Sequence, residues 1–400
     1  MNRRQASFLF IFITAAIDMI GIGIVIPSMP HIMQRFYSDP GEISRTYGYF
    51  ISTFSLMQFL ASPLLGALSD RFGRRPILLN SLFISGFDYL LMAFAPNMAI
   101  LFVGRVLSGL TSASFTVAMA YIADVSTDEN RAKNFGMIGA AFGLGFIIGP
   151  ALGGLLGHYD STYPFLFAAG LNVLNFFFGL FVLPESWPKE KRRRVDPRNL
   201  NPVRSLGRIF RLPGVLALAG AHFLFQLAGA THPSVWILYT ERRFAWTSTE
   251  VGFSLALVGV LAALAQGWLT GVIVPKIGEY RAVLLGTVGY TVTFTLFGLA
   301  TRGWMLYAIL VGSAIFWISN PALQSLLTKK VPPEEQGELQ GSLTSLASLA
   351  QIINPLVTTA LFAHFAARSV GQDSWLLGAP YFFAGAVCLF SFPLVLGKSR

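Results

Sequence analysis

The feature that most constrains this chain is a succession of apolar segments, each about 20 residues long. A helix rises about 1.5 Å per residue, so a segment of this length crosses a hydrocarbon core of about 30 Å. Only 12% of the 400 residues are charged, whereas a soluble domain carries roughly 25%. Such a chain has too little polar surface to cover a water-soluble globule. We therefore predict that it lies in a lipid bilayer.

The spacing of the apolar segments predicts twelve membrane spans. Backbone groups in lipid need internal partners, and no alternating ten-residue strand pattern is present, so the spans are predicted to be helices. The fold class is accordingly an all-α membrane protein. The predicted spans lie near residues 7–29, 45–68, 76–95, 99–122, 134–157, 162–183, 213–237, 250–273, 281–300, 304–328, 339–364 and 374–396.

The basic residues fix the predicted orientation of the spans. Lys and Arg concentrate in alternate loops and in the stretch Lys189–Arg211, which places these loops and both termini in the cytoplasm. The protein is thus expected to be a multi-pass protein of the cytoplasmic (inner) membrane. The same asymmetry explains the net charge of +10 without a nucleic-acid partner. The basic central stretch, 184–212, is predicted to be a linker. It divides the chain into an N-terminal six-helix bundle (1–183) and a C-terminal six-helix bundle (213–400).

The two halves carry a weak internal repeat. Gly66–Gly73 follows the second span, and Gly271–Gly278, with the same glycine spacing and a basic loop, follows the eighth. Duplicated six-span halves are typical of secondary transporters. The sequence contains no GxxxxGK[ST] motif for ATP, no metal-ligand cluster and no nucleophile–base pattern. It therefore predicts a transporter without a cofactor rather than an enzyme.

Three ionisable residues lie deep within predicted spans: Asp18, Asp88 and Arg105. A charge at the bilayer centre costs at least about 2.5–3.5 kcal/mol, so such residues are rarely idle. Asp88 and Arg105 lie at similar depths on consecutive antiparallel spans and can face one another. A carboxylate can gain and lose a proton while arginine stays protonated, so this set predicts proton coupling. The alternative is a static interhelical clamp.

The second half has no Asp or Glu within its spans, only neutral polar residues and two histidines. We include Gln226 and Gln324, together with Gln58 of the first half, among the candidate residues for substrate and proton handling. A helix-packing hydrogen bond is the alternative for each. The polar candidates of the second half are His222, Gln226, His232, Gln266, Asn320, Gln324, Gln351 and Asn354.

The fifth span is rich in glycine. It resembles a dinucleotide-binding loop only superficially, because no strand precedes it. Small residues allow close helix approach, and a proline removes one backbone donor and permits a bend. We predict a hinge or packing role for Gly145, Gly149, Pro150, Gly153 and Gly154.

These motifs together resemble those of the major facilitator superfamily. The loop Gly66–Arg75 is similar to its cytoplasmic motif, Arg105 with Gly109 to its fourth-span motif, and Gly145–Gly154 to the antiporter motif ending in Gly-Pro-x-x-Gly-Gly. The resemblance extends along nearly the whole chain to the tetracycline-efflux group. It is carried there by Asp18–Gly23 with Pro27 and Pro30, Asp88-Tyr89, Tyr121–Asp124, Pro321–Gln324 and Gln336–Leu343.

The resemblance implies roles for particular residues. Positions matching Asp18, Asp88 and Arg105 handle protons and cationic substrate in that family. It also implies that no metal is resident, that a divalent cation enters only as part of a chelated substrate, and that a monomer is functional. The residues implied to form a cytoplasmic gate are Gly66, Asp70, Arg71, Gly73, Arg74, Arg75, Asp124 and Arg131.

Two positions depart from the family pattern. Tetracycline exporters carry a histidine in the eighth span and an aspartate in the ninth, and the corresponding residues here are Ala262 and Tyr290. A cationic magnesium–tetracycline chelate would therefore have one anionic partner fewer. The sequence predicts drug export more directly than it predicts tetracycline as the drug.

The expected function is a drug:proton antiporter that moves an amphipathic compound outward. Its expected partners are the small-molecule substrate, protons and the lipid bilayer, with no nucleic acid. A proton-coupled importer or uniporter of a metabolite is the alternative, favoured by the missing ninth-span acid. A membrane scaffold or receptor that has lost transport is a third, opposed by the gating loop and the buried charges.

Overall fold

The computed structural model describes residues 3–112, 114–126, 131–192, 207, 215–332, 335–368 and 374–396. The side chains of residues 3–10 and of several positions between 131 and 142 lie outside this description. Within it the chain is helical and contains no β-strand.

The helices are numbered here in chain order. Short 3₁₀ turns connect some of them, and a π-helical turn, Ala265–Leu269, separates α11 from α12. The helices are α1 (Arg3–Val25), α2 (Met29–Met33), α3 (Pro40–Phe72), α4 (Arg74–Ala93), α5 (Met98–Ser112), α6 (Ser114–Val125), α7 (Arg131–Tyr159), α8 (Tyr163–Val182), α9 (Leu216–Gly229), α10 (Thr231–Phe244), α11 (Ser248–Leu264), α12 (Thr270–Ile277), α13 (Glu279–Leu299), α14 (Gly303–Ser313), α15 (Ser319–Thr328), α16 (Gln336–Arg368) and α17 (Ala379–Leu396).

The predicted spans correspond to these helices. Ten stretches of the described residues are long and apolar enough to cross a membrane. The two remaining predicted spans are also helical. Residues 134–157 lie within α7, and residues 213–237 are covered from Val215 onwards by the end of a turn, α9 and the first part of α10.

The chain divides into two compact units. The first unit is Met1–Phe36, Thr53–Asn201 and Thr247–Gly259, and the second unit is Tyr37–Ser52, Pro202–Trp246 and Val260–Arg400. Most of the predicted linker, 184–212, lies outside the described residues. The division into two six-helix bundles at that linker stays a prediction.

A glycine stripe on α7 packs against α1 in the first unit. Gly145, Gly149 and Gly153 recur every four residues and so share one face of the helix. A Cβ at Gly149 would lie 2.8 Å from the Cα of Gly23 and 2.9 Å from the carbonyl oxygen of Ile20. Only glycine permits this approach of the two backbones. The packing role of these residues stays a prediction. The predicted hinge stays a prediction.

The seventh predicted span is interrupted in the second unit. α9 ends at Gly229 and α10 begins at Thr231. The side-chain amide of Asn354, on α16, donates to the carbonyl oxygen of Leu227 at 2.6 Å and to the hydroxyl of Thr231 at 2.9 Å. The junction between α9 and α10 is therefore hydrogen-bonded to a neighbouring helix.

Candidate functional site

The first unit places Asp88 at the contact between α4 and α5. Asp88 is 1% exposed, and its Oδ2 accepts a hydrogen bond from the hydroxyl of Ser108. Its Oδ1 has no hydrogen-bond partner among the described residues. Gly104, one turn before Ser108, leaves room for this carboxylate, because a Cβ there would lie 2.8 Å from Oδ1. A nearly inaccessible carboxylate with one free oxygen is costly unless a charge or proton compensates it.

Arg105 lies on α5 beside this carboxylate. Its guanidinium lies within electrostatic range of Asp88 and 4.9 Å from the ring centroid of Phe54, on α3. A guanidinium over an aromatic face gains cation–π energy. Arg105 is thus held between an acid on one helix and an aromatic ring on another.

Tyr89 connects these groups to α1. The side chain is 7% exposed and lies within electrostatic range of Asp18, Asp88 and Arg105. Asp18 itself is half-buried. The structure therefore brings the three predicted charged residues together around one tyrosine. From the sequence, Tyr89 belongs to a motif but has no assigned role, because a tyrosine in an apolar span has no charge to single it out.

Gln58 lies near the same group. Its amide donates to the hydroxyl of Ser112, on α5, at 2.9 Å. Gly109 permits this approach, because a Cβ there would lie 2.6 Å from the carbonyl oxygen of Phe54. Gln58 thus links α3 to the helix that carries Arg105.

The predicted gate residues assemble around Arg74, which is 6% exposed. Its guanidinium contacts Asp70 at 2.5 Å and Asp124 at 3.2 Å, and it donates to the hydroxyl of Ser69 at 2.5 Å. A buried guanidinium with two carboxylates and a further hydrogen bond is well compensated, whereas removal of one partner would leave a charge uncompensated. Arg74, Asp70 and Asp124 thus form one ion-pair network.

Three residues after α8 complete this network and were missed from the sequence. The carboxylate of Glu185 accepts the backbone N–H of Arg74 at 2.9 Å, and the hydroxyl of Ser186 donates to Asp124 at 3.1 Å. The ring of Trp187 lies 4.8 Å from the Arg74 guanidinium, and its indole N–H donates to the carbonyl oxygen of Asp70 at 3.1 Å. The prediction from sequence places these residues in the linker. An acid and a tryptophan directly after the sixth span, opposite a basic loop, are the signal that could have identified them.

The remaining gate residues have varied surroundings. Gly73 has φ of 105°, a conformation that favours glycine. The Cβ of any other residue there would collide with the carboxylate of Glu185. Arg75 donates to the carbonyl oxygen of Leu180 at 2.8 Å, Arg71 is exposed, and Gly66 has open space around it. The side chain of Arg131, at the start of α7, lies outside the described residues.

The second unit contains the neutral candidates. Gln324 donates to the side chain of Gln340 at 3.0 Å on an exposed surface, and Gln226 lies on α9, one turn before the interruption at Gly229. Ala262 is half-buried on α11. The Tyr290 hydroxyl accepts from the amide of Asn320 at 3.3 Å. The glutamines, Tyr290 and Asn320 offer hydrogen bonds, and none of these positions carries a charge.

An aromatic cluster of the second unit is connected to Tyr290 through Phe294 and Tyr381. The ring of His232 lies 4.1 Å from that of Trp236, whose ring lies 5.5 Å from Phe297. The ring centroids of Tyr239 and Tyr381 are 4.9 Å apart, and the two ring planes are inclined at 66°. Such tilted arrangements match the quadrupoles of aromatic rings. This cluster supplies rigid apolar volume.

A smaller polar cluster lies at the predicted outer side of the first unit. Arg35 contacts Asp160 at 3.5 Å and the hydroxyls of Ser161 and Thr162. The backbone N–H of Thr162 donates to Asp160 at 2.7 Å, and this hydrogen bond lowers the pKa of the Asp160 carboxyl below its usual value. The cluster ties the turn between α7 and α8 to the chain that follows α2.

The chemistry available to this arrangement is proton and cation exchange. No group of three His, Cys, Asp or Glu side chains suited to a metal ion occurs among the described residues. The group around Tyr89 consists of two carboxylates and an arginine beside the tyrosine, a set that can hold a proton or a cation.

Comparison with known families agrees with the arrangement of motifs. The profile of the Major Facilitator Superfamily matches residues 11–355 and 218–398. The chain is 42% identical to a class C tetracycline resistance protein of Escherichia coli, over 94% of this chain and 93% of that protein. It is 38% identical to a class G tetracycline resistance protein of Vibrio anguillarum, over 94% of this chain and 95% of that protein.

Solved structures show the same fold. The crystal structure of the nucleoside transporter NupG superposes with a TM-score of 0.76 at 14% identity, covering 100% of this chain and 100% of that chain. A human organic anion transporter, MFSD10, superposes with a TM-score of 0.69 at 24% identity, covering 99% of this chain and 100% of that chain. At these identities the likeness concerns the fold alone.

Proposed function

The chain belongs to the Major Facilitator Superfamily and, within it, to the group of tetracycline resistance proteins, and from this premise we propose that it is a proton-coupled antiporter exporting a drug-like amphipathic compound of the tetracycline type. The membership confirms the predicted all-α membrane fold of twelve helices. It also makes the chain a transporter and not an enzyme. The importer that the sequence left open is not favoured by this membership.

The single observation that supports proton coupling is the group of Asp18, Asp88 and Arg105 around Tyr89. Asp88 is 1% exposed and has an oxygen without a partner among the described residues. Excess acceptors of this kind are satisfied by a proton or by a cationic substrate, and the two compete. This competition is the requirement for antiport, because each occupant must displace the other.

The transport cycle follows from this competition. A cationic or chelated drug enters from the cytoplasm and is held by the carboxylates. After the site becomes accessible from outside, protons take its place and the drug leaves. The protonated transporter then returns to the state that is open to the cytoplasm, where the protons leave. The proton gradient drives this cycle. Arg105 keeps its charge throughout and provides a fixed partner for whichever carboxylate is ionised.

The cytoplasmic gate acts through the Arg74 network. Asp70, Asp124 and the residues Glu185–Trp187 hold the Arg74 side chain and backbone at the end of α3 and the start of α4. We assign this network to stabilising one arrangement of the cytoplasmic helix ends. Weakening the network would allow both arrangements to be populated without substrate, and coupling would be lost.

The remaining properties are part of the same proposal. The protein functions as a monomer in the cytoplasmic membrane with both termini in the cytoplasm. It consists of two six-helix bundles joined by the basic linker 184–212. It needs no resident cofactor, and a divalent cation enters only within a chelated substrate. Its partners are the drug, protons and lipid, and no nucleic acid.

A drug-susceptibility profile tests the proposal. The chain is expressed in a sensitive host, and minimum inhibitory concentrations are measured for tetracycline and for unrelated antibiotics. Everted membrane vesicles then report drug uptake with and without an imposed proton gradient. We expect tetracycline resistance and gradient-dependent uptake, both absent in Asp88→Asn. Accumulation of a nutrient by whole cells, with no drug uptake into everted vesicles, would support the importer instead.

A further inference from the structure

Two asparagines one turn apart on α8 differ in their hydrogen bonds. Both Asn172 and Asn175 are 0% exposed. Asn175 accepts from the hydroxyl of Thr14 at 3.1 Å and donates to its carbonyl oxygen at 3.3 Å. Asn172 donates to the carbonyl oxygen of Ala168 at 3.0 Å, but its Oδ1 has no hydrogen-bond donor among the described residues. A buried acceptor without a donor is rare and needs an explanation.

The position of Asn172 relates it to Asp18. Thr14, Asp18 and Gly21 are spaced i, i+4 and i+7 and so lie on one face of α1. Thr14 contacts Asn175, and the position that a Gly21 Cβ would occupy is 3.1 Å from the amide nitrogen of Asn172. Both flanking residues of this face thus meet α8. Asp18 lies between them, opposite the pair of asparagines.

Helix α4 also packs beside Gly21 and Asn172. The Tyr89 hydroxyl lies 4.0 Å from the position of a Gly21 Cβ, and a Cβ at Gly86 would lie 3.1 Å from Val173, the residue after Asn172. The ionisable group within electrostatic range of Asp18 is Tyr89 from α4, which is itself in range of Asp88 on α4 and of Arg105 on α5. The packed helices α7 and α8 contribute no charged residue over 134–157 and 164–182.

A proton on Asp18 would provide the hydrogen-bond donor that the Oδ1 of Asn172 lacks among the described residues. Asp18 forms no hydrogen bond or ion pair within the described part of the chain. An ionised carboxylate is an acceptor only, and so is the amide oxygen of Asn172. A protonated carboxyl has an O–H donor, which the amide oxygen can accept. The Oδ1 of Asn172, which has no donor among the described residues, would therefore gain one when Asp18 carries a proton.

We propose that Asn172 is a positioning residue for the coupling proton, accepting through Oδ1 the hydrogen bond donated by protonated Asp18. The inference rests on the proposed function and deepens it. A proton from water binds one carboxylate oxygen of Asp18, and the new O–H group donates to Asn172. On release the proton returns to water, and the carboxylate becomes free for a cationic substrate.

The test is infrared difference spectroscopy of the purified full-length protein as the pH is varied. The carboxylic-acid C=O band of Asp18 is assigned by its loss in Asp18→Asn. In Asn172→Leu we expect this band to move to higher wavenumber, because the hydrogen bond is lost. The pH midpoint of its appearance is expected to fall by about 0.5 to 1 unit. An unchanged band and midpoint in Asn172→Leu would overturn the proposal.

Two further variants separate positioning from packing. Asn172→Asp retains an acceptor and adds a like charge, so proton uptake is expected at higher pH, opposite to the effect of Asn172→Leu. Asn175→Leu breaks the pair with Thr14, so we expect lower thermal stability with an unchanged midpoint for Asp18. Shifts of the same sign in both Asn172 variants, or an equal shift in Asn175→Leu, would indicate a packing effect and contradict the proposal.

The same spectra separate this inference from the proposed function. If vesicles of the wild-type protein show no drug uptake while the Asp18 band responds to Asn172→Leu as expected, the export function fails and the positioning role stands. If uptake is gradient-dependent and the band is insensitive to residue 172, the positioning role fails and export stands.

Discussion

The two units of this transporter differ in the polar groups that they contain. The first unit buries Asp88, one oxygen of which has no hydrogen-bond partner among the described residues, and places Arg105 and Asp18 around Tyr89. The polar candidates of the second unit are uncharged, and its Tyr290 hydroxyl accepts from the amide of Asn320 at 3.3 Å. The first unit thus places carboxylates and an arginine around one tyrosine. The second unit buries Arg243, which donates to the carbonyl oxygen of Gly298 at 3.0 Å, and otherwise offers hydrogen bonds and aromatic surface at its polar candidates.

The difference indicates a division of labour. Charges at membrane depth persist only where they have a function, because they destabilise the fold. Aromatic rings stabilise a fold and also accept varied apolar ligands without strict geometry. We infer that the first unit carries energy coupling, and that the second contributes to the choice of drug.

The largest expected effect tests the first side of this comparison. Asp88→Asn retains the shape of the side chain but removes its charge, so coupled drug uptake into everted vesicles should fall at least about tenfold, equivalent to about 1.4 kcal/mol. The matched control is Asn320→Ala in the second unit, which breaks the bond to Tyr290 without touching a charge. Equal losses in both variants would contradict the division of labour.

A second large effect is expected at the cytoplasmic gate. Asp70→Asn removes one of two carboxylates that contact Arg74 and leaves that buried guanidinium undercompensated. Transport should fall severalfold or more while membrane insertion, measured by the amount of protein in the membrane, is preserved. Glu190→Gln is the matched control, because Glu190 is exposed and lies outside the Arg74 network. Normal flux in Asp70→Asn would exclude this role for the network.

A smaller effect sharpens the second side of the comparison. Tyr290→Phe removes the hydroxyl that accepts from Asn320 and retains the ring that packs against Phe225 and Phe294. We expect the relative resistance to different drugs to change about two- to threefold, since one hydrogen bond is worth about 0.5–1.5 kcal/mol. The pH dependence of transport should not change. A shifted pH profile would place coupling in the second unit as well.

The smallest expected effect concerns Asp160. Because its pKa is held below the usual value by the N–H of Thr162, Asp160 stabilises the fold at neutral pH, and this contribution is lost as the pH falls through the lowered pKa. The side chain is largely exposed, so Asp160→Asn should cost less than about 1 kcal/mol. Thermal unfolding in detergent at neutral and acidic pH measures the difference. A loss that grows on acidification would contradict this sign.

Much of the first unit could be predicted from the sequence because charge in an apolar span is conspicuous. Asp18, Asp88 and Arg105 were identified by that contrast. Tyr89 and Asn172 were not, since an uncharged residue within a span is as common in packing as in function. Their contribution depends on which helices meet, and Gly21, Gly86 and Gly104 determine this by permitting close approach. Local spacing does not encode these contacts between distant segments.

The gate shows the same limit in another form. The loop motif predicted Asp70 and Arg74, but Glu185 and Trp187 lie 111 residues from Arg74 and 117 residues from Asp70, respectively, in the contacts that they make. The proline-containing stretch after the sixth span indicated a linker. Its first residues are instead packed on the gate, because the indole and the carboxylate satisfy groups that the loop leaves open.

The most direct test of the central claim is the number of protons released when drug binds to the purified protein. A pH electrode or indicator dye records the release on addition of tetracycline in weakly buffered detergent solution. We predict release by the wild-type protein, loss of most of it in Asp88→Asn, and full release in Tyr290→Phe. Unchanged release in Asp88→Asn, or loss of release in Tyr290→Phe, would contradict the assignment of coupling to the first unit.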